Sequence, residues 1–365
     1  MQPVRIAVIG VGSMGSTHAN ALAQGKIQRA TLSAVCDTDS NRFSQWPQIP
    51  GFTNPHDLLR AKIADAVVIA TPHFDHPVSG RLALEAGLHV LVEKPIAVHK
   101  ADAQKLLAAH ANPQQVFAIM FNQRTDPFYR KIRELVQTGE LGAIQRIQWT
   151  ITTWYRCNAY YRSGTWRATW RGEGGGVLLN QCPHNLDLFQ WMFGMPARVR
   201  AFCRLGRYHP IEVEDDVTAY MEYANGATAT FITSTGEAPG TNRLEVAADH
   251  GRLVYENDKL AFQRTEMPVS QFTQTATSMF AAPQTTTTEF TFQDHGGQHN
   301  EILQNFVDAI LDGKPLIAPA SEGIKSLELG NAMLLSAMEN RTVELPLDAA
   351  AYQRLLEDLI RKSTK

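Results

Sequence analysis

Val4-Arg5-Ile6-Ala7-Val8-Ile9 runs directly into Gly10-Val11-Gly12-Ser13-Met14-Gly15. A short run rich in apolar and β-branched residues predicts a strand buried on both faces. Each glycine after it has a physical reason. Gly10 permits a tight turn, Gly12 lets backbone approach a pyrophosphate, and Gly15 lets the following helix pack on the strand. Ser13 and Met14 open that helix, whose unpaired amides and positive dipole end suit phosphates. The glycine spacing alone is a weak signal, but its context strengthens it. The next apolar run, residues 31–36, ends at Asp37, where an acidic residue should meet the adenosine ribose. A carboxylate there repels a 2′-phosphate, so NAD is the expected cofactor. Arg42 nearby could soften that preference, which leaves NADP as an alternative.

Working outward, further short apolar runs occupy 66–70, 89–92 and 116–121. Helical segments at 14–25, 55–61, 77–87 and 100–110 separate them. Strand–helix alternation predicts an α/β domain with a parallel sheet, a Rossmann domain over 1–122. Beyond it the pattern changes. Residues 143–155, 197–205, 217–223, 228–235, 243–248 and 252–256 read as successive strands. Asn225-Gly226 between two of them is a hairpin signal, with positive φ wanted at both positions. This predicts a second α+β domain over 123–365 with a large, mostly antiparallel open sheet. Helical segments return at 299–311, 321–339 and 349–361, and the Thr-, Ala- and Gln-rich stretch 275–291 reads as a loop.

The 365 residues are 44% hydrophobic and 19% charged, enough to bury a sizeable core, and the formal net charge is −2. That balance argues against nucleic acid or an anionic membrane surface as partner. The four cysteines are scattered without CxxC pairing, which suits reduced thiols and a cytoplasmic setting. The N-terminus shows no signal-peptide pattern, and no stretch approaches the length of a membrane span.

Three further segments narrow the reading. Ala70-Thr71-Pro72 ends one strand run with His76 just beyond, and Glu93-Lys94-Pro95 ends the next. Gly174-Gly175-Gly176 precedes Asn180 and then His184-Asn185-Leu186-Asp187. Taken in this order, the chain resembles the glucose–fructose oxidoreductase/inositol dehydrogenase (Gfo/Idh/MocA) family. The resemblance extends to His299-Asn300-Glu301 and Asp312-Gly313-Lys314-Pro315. It implies NAD(P)-dependent oxidation or reduction at one carbon of a sugar, inositol or related polyol. It also implies a homodimer or homotetramer built through the C-terminal sheet. It places Lys94 beside the nicotinamide and the substrate hydroxyl, with Pro95 after a cis peptide bond. Thr71, Pro72, His76, Glu93 and Asn122 are expected at the cofactor, and Arg124 at the substrate, with a plain interdomain hydrogen-bonding role the alternative for Asn122 and Arg124.

The residues support that chemistry. Moving a hydride from a secondary alcohol requires its hydroxyl proton to leave, which calls for a group that titrates near working pH. His184 is the better base because imidazole titrates near neutrality. Lys94 could polarise the oxygen or relay the proton. Asp187 shares a helical face with His184 and either orients it or pairs elsewhere. Many family members have Asp where this chain has Asn180. An amide cannot act as a base, so Asn180 is expected to position a hydroxyl or carbonyl.

The segment 154–173 interleaves Trp154, Tyr155, Trp166 and Trp170 with Arg156, Arg162, Arg167 and Arg171. Aromatic faces pack on pyranose C–H faces and arginine forks hydrogen-bond hydroxyls, so Tyr155, Trp166 and Arg171 are candidate substrate contacts. An ordered loop packed on the sheet is the equal alternative. The histidine pairs at 73/76 and 295/299 lack partners at zinc-site spacing, and no metal is expected. Two other functions fit the same motifs: a redox-neutral, NAD-dependent glycoside-cleaving enzyme and a non-catalytic NAD(H)-binding protein. A binding module needs neither Lys94 nor His184.

Overall fold

The first strand forms where five of its six residues are buried: Val4, Ile6, Ala7, Val8 and Ile9 leave almost no exposed face. The computed structural model describes residues 2–363. The first compact unit comprises 1–125, 172–174 and 296–328. Its strands are β1 (Val4–Ile9), β2 (Ala30–Cys36), β3 (Gly51–Phe52), β4 (Ala66–Ile69), β5 (His89–Val92) and β6 (Phe117–Ile119). They form one parallel sheet in the order β3-β2-β1-β4-β5-β6. Helices α1 (Ser13–Ala23), α2 (Pro55–Arg60), α3 (His76–Glu85) and α4 (Lys100–Ala109) connect the strands. The order reverses between β1 and β4, so the loops at their carboxyl ends flank the switch point where such sheets take ligands. Residues 296–328 return to this unit: Ile302, Leu303, Phe306 and Val307 share a hydrophobic cluster with Val4, Ile6 and Val8.

The second unit comprises 126–171, 175–295 and 329–365. It begins with α5 (Pro127–Gln137) and β7 (Ile144–Ile151), then α6 (Asn158–Arg162) and α7 (Pro183–Phe193). The strands β8 (Arg198–Leu205), β9 (Glu214–Glu222), β10 (Thr228–Ser234), β11 (Asn242–Ala248), β12 (Gly251–Glu256) and β13 (Lys259–Thr265) follow. With β14 (Thr285–Phe290) and β15 (Val343–Glu344) they make a nine-stranded sheet, ordered β14-β13-β12-β11-β7-β10-β9-β8-β15. Its pairings are antiparallel except β7 with β10. Strand alternation buries Trp149 and Phe231 on one face, where both rings meet Phe189 of α7.

Two local expectations change. Stretch 275–291 is not all loop, because Thr285–Phe290 pairs with β13 as an edge strand. Five of its six side chains are exposed and the sixth is half-buried, so no apolar alternation marks it in the sequence. At the 225–226 hairpin only Gly226 has positive φ, at +87°. Its amide donates to Tyr223 O, and Tyr223 N to Ala227 O, a longer turn closed by one left-handed glycine.

Candidate active site

In the parallel-sheet unit, β1 delivers the chain to Gly10, where φ is +83°. A Cβ on Gly10 would lie 2.7 Å from the Ala70 carbonyl, and one on Gly15 would lie 1.7 Å from Gly10 O. The fold itself therefore demands glycine at both positions. Gly12 is different. Its φ is −69°, and a Cβ there would meet only Arg42 Nη1, at 3.5 Å. Packing does not require glycine at 12. Ser13 and Met14 are exposed at the start of α1 and offer their backbone there.

Asp37 follows β2 and straps this loop. Its Oδ2 accepts from Val11 N at 2.9 Å and its Oδ1 from Asp39 N at 3.0 Å. Arg42 reaches the same mouth, donating to Val11 O at 3.3 Å and standing 3.7 Å from Asp37 Oδ1 and 3.4 Å from Asp39 Oδ2. Past β4 and β6, Thr71 Oγ1 and Asn122 Oδ1 are buried without a hydrogen-bond partner among the described residues. Asn122 Nδ2 donates to Gln298 Oε1 at 2.7 Å. An open glycine cradle at a helix start, an acidic strand end and orphaned polar atoms at the carboxyl ends of two strands fit a dinucleotide.

Glu93 and Lys94 end β5. Lys94 is half-buried, and the Lys94–Pro95 bond is cis. Glu93 is buried, with Oε1 2.7 Å from His18 Nε2 and Oε2 accepting from Lys94 N at 3.2 Å. Burial pushes this carboxyl up. The bond to His18 and the charges of His18, Lys94 and His299 together outweigh burial and hold it at about 2. Glu93 thus faces the interior of the unit. His18 was not singled out in the sequence; its signal is a lone histidine on the apolar face of α1.

His76 and Arg124 both lie inside the unit. His76 is fully buried, with Nδ1 2.7 Å from Pro95 O and Nε2 2.8 Å from Thr71 O, so it braces two loops from behind. Burial pushes its pKa down. Arg124 is also fully buried, donating to Ile317 O at 3.1 Å and to Glu322. Its guanidinium lies over the Phe121 ring. That charge is paired with Glu322 inside the unit.

In the second unit, Asn180 N donates to Gly176 O at 2.9 Å, and His184 sits buried in the first turn of α7. Asp187 accepts from Gln190 Nε2 at 2.9 Å. The glycine turn before them is fixed by a residue sequence reading missed. Glu214, buried on β9, accepts from Gly176 N and Leu178 N, and a Cβ on Gly176 would lie 2.0 Å from Glu214 O. Trp154 Nε1 donates to Asn185 Oδ1 at 3.0 Å, which ties the aromatic segment to the turn carrying His184.

That segment is an ordered layer. Arg167 lies over Tyr160 and Trp166 and donates to Tyr160 Oη, while Tyr161 Oη donates to Thr235. Trp170 is core, Trp166 is half-buried, and Tyr155 and Arg171 present exposed side chains. Among the described residues no group of three or more His, Cys, Asp or Glu side chains is arranged to hold a metal. No described helix is long and apolar enough to cross a membrane.

Residues 4–121 match the NAD-binding Rossmann domain of an oxidoreductase family, and residues 129–254 match the GFO/IDH/MocA C-terminal domain. The chain belongs to the GFO/IDH/MocA oxidoreductase family. It is therefore an NAD(P)-dependent oxidoreductase with an NAD-binding Rossmann domain. Among curated relatives, myo-inositol 2-dehydrogenase of Thermotoga maritima is 24% identical over 354 residues, 94% of this chain and 98% of that one. The WlbA dehydrogenase of Chromobacterium violaceum, solved with NADH and UDP-GlcNAcA, is 25% identical with a TM-score of 0.82. It covers 95% of this chain and 97% of its own. A levoglucosan dehydrogenase solved with NADH and levoglucosan shares the fold at 19% identity, TM-score 0.78, covering 94% and 100% of the two chains.

Proposed function

We propose that the protein oxidises or reduces one ring carbon of a sugar, glycoside or cyclitol, with NAD as the working cofactor. The observation that carries this reading is Lys94 at the carboxyl end of β5, anchored through its amide to the ionised Glu93. The named activities of the inositol and sugar dehydrogenases among its relatives support the substrate class.

Gly10, Gly12, Gly15 and the first turn of α1 would hold the pyrophosphate, Asp37 the adenosine ribose, and Thr71 and Asn122 further polar groups of the dinucleotide. NAD supplies the hydride acceptor when bound. Lys94 polarises the reacting oxygen and His184 holds the hydroxyl proton as the C–H bond breaks. Asn180, having no basic site, orients a hydroxyl or carbonyl. Tyr155, Trp166 and Arg171 wall the ring. A homo-oligomer through the open face of the nine-stranded sheet belongs to the same proposal. Phe202 and Tyr220 stand exposed there, and light scattering of the purified protein reads the assembly.

Lys94→Met tests the reading. Turnover of NAD with a polyol substrate should be lost by at least about a hundredfold, the scale of an acid–base group. NADH affinity should stay within about threefold, below 1 kcal/mol. Near-normal turnover in this variant excludes the assigned role.

A further inference from the structure

We propose that His18, acting through Glu93, is a positioning residue for Lys94. The inference rests on the reading that Lys94 handles the reacting oxygen.

His18 is 1% exposed on α1, the helix that opens at the glycine loop. Its Nε2 stands 2.7 Å from Glu93 Oε1, while Glu93 Oε2 takes the Lys94 amide. One carboxylate thus grips the dinucleotide helix with one oxygen and the Lys94 backbone with the other. On the other flank, Pro95 O meets His76 Nδ1 at 2.7 Å. The main chain is tied on both sides of Lys94.

The groups facing Glu93 are His18 from α1, His76 from α3, Lys94 beside it and His299 from α8 (Gln298–Asp312). The His299 ring lies 5.8 Å from that of His18. A buried carboxylate without such company takes up a proton instead of keeping its charge. Apolar side chains of similar volume often replace a buried ion pair at little cost, so stability alone does not call for one here. What an apolar pair could not supply is a fixed negative charge next to Lys94.

The test needs no cofactor. Wild type, His18→Leu, Glu93→Gln and the double variant are trace-acylated with acetic anhydride across a pH series, and peptide mass spectrometry reads the fraction of Lys94 labelled. Glu93→Gln should lower the pH of half-labelling at Lys94 by on the order of one unit, the scale for loss of a nearby opposite charge, and His18→Leu, which releases the carboxylate from one of its two anchors, should lower it by less. The double variant should shift it no further than Glu93→Gln alone. Exposed lysines in the same digest should keep their wild-type profiles, which a general loosening of the fold would not preserve.

His18→Phe, which keeps a ring, serves as a second variant should leucine disturb folding, and the same shift is expected in it. A wild-type Lys94 profile in the His18 variants overturns the proposal, as do His18 and Glu93 shifts that add in the double variant. Failure of the underlying reading looks different. Lys94→Met would then retain turnover, whatever the labelling shows.

Discussion

Gly12→Ala separates what the fold needs from what the cofactor needs. The new Cβ would stand 3.5 Å from Arg42 Nη1, ordinary contact, at a φ of −69° that alanine adopts freely. Position 12 caps α1 without a side-chain bond, so the folded protein should lose only a few tenths of a kcal/mol, up to about 1. The same methyl group projects where a pyrophosphate would meet the loop, and NADH affinity should fall at least tenfold, about 1.4 kcal/mol. Differential scanning fluorimetry reads both effects. NADH at one hundred times the wild-type Kd stabilises wild type by about 2.7 kcal/mol, and a variant binding a tenth as tightly by only about half of that. The apo melting temperature should barely move. Gly15→Ala is the control: its Cβ would lie 1.7 Å from Gly10 O, so that protein should be grossly destabilised before any ligand is added. An undiminished NADH shift in Gly12→Ala would mean that the loop is not the phosphate cradle.

Two further outcomes follow from the site. Asp37→Ala removes the acceptor for Val11 N and leaves Arg42 with Asp39 as its carboxylate neighbour. NADH binding by fluorescence titration should weaken at least about tenfold while NADPH changes less than roughly threefold, and equal losses would contradict the Asp37 argument. Glu93 is held at about 2 in the folded protein, below the ordinary carboxyl value of 4.5. A depressed carboxyl stabilises fully above its unfolded value, so this contribution is present near neutrality and fades as pH falls from about 4.5 towards 2. Melting curves across that window should slope less in Glu93→Gln than in wild type, and parallel slopes would count against the buried anion.

Much of the fold is legible in the sequence because both-face burial writes itself as unbroken apolar runs. The central parallel strands read that way. β3, only two residues long, leaves no such trace, and β14 hides because it buries no face. The glycine loop, Asp37 and Lys94 are legible for a different reason, since local turn geometry and strand ends fix where they stand. His18, His76 and Arg124 show what is lost. Their roles depend on partners brought together by folding: Glu93 lies 75 residues from His18, and Glu322 lies 198 from Arg124. Nothing in the spacing of a lone histidine announces a buried carboxylate. Glu214 is the same case, for its carboxylate serves amides 36 and 38 residues earlier in the chain. Likewise, the return of 296–328 to the parallel-sheet unit rests on apolar contacts that an amphipathic helix pattern leaves unaddressed.

The proposed hydride transfer between NAD and a ring carbon of a polyol is directly observable. Purified protein should be mixed with NAD or NADP and a panel of sugars, glycosides and inositols while the nicotinamide absorbance is followed. The expected result is steady NADH formation with at least one polyol, faster with NAD than with NADP and lost in Lys94→Met. Tight NADH binding with no nicotinamide turnover on any polyol, or release of an aglycone without net NADH, would contradict it.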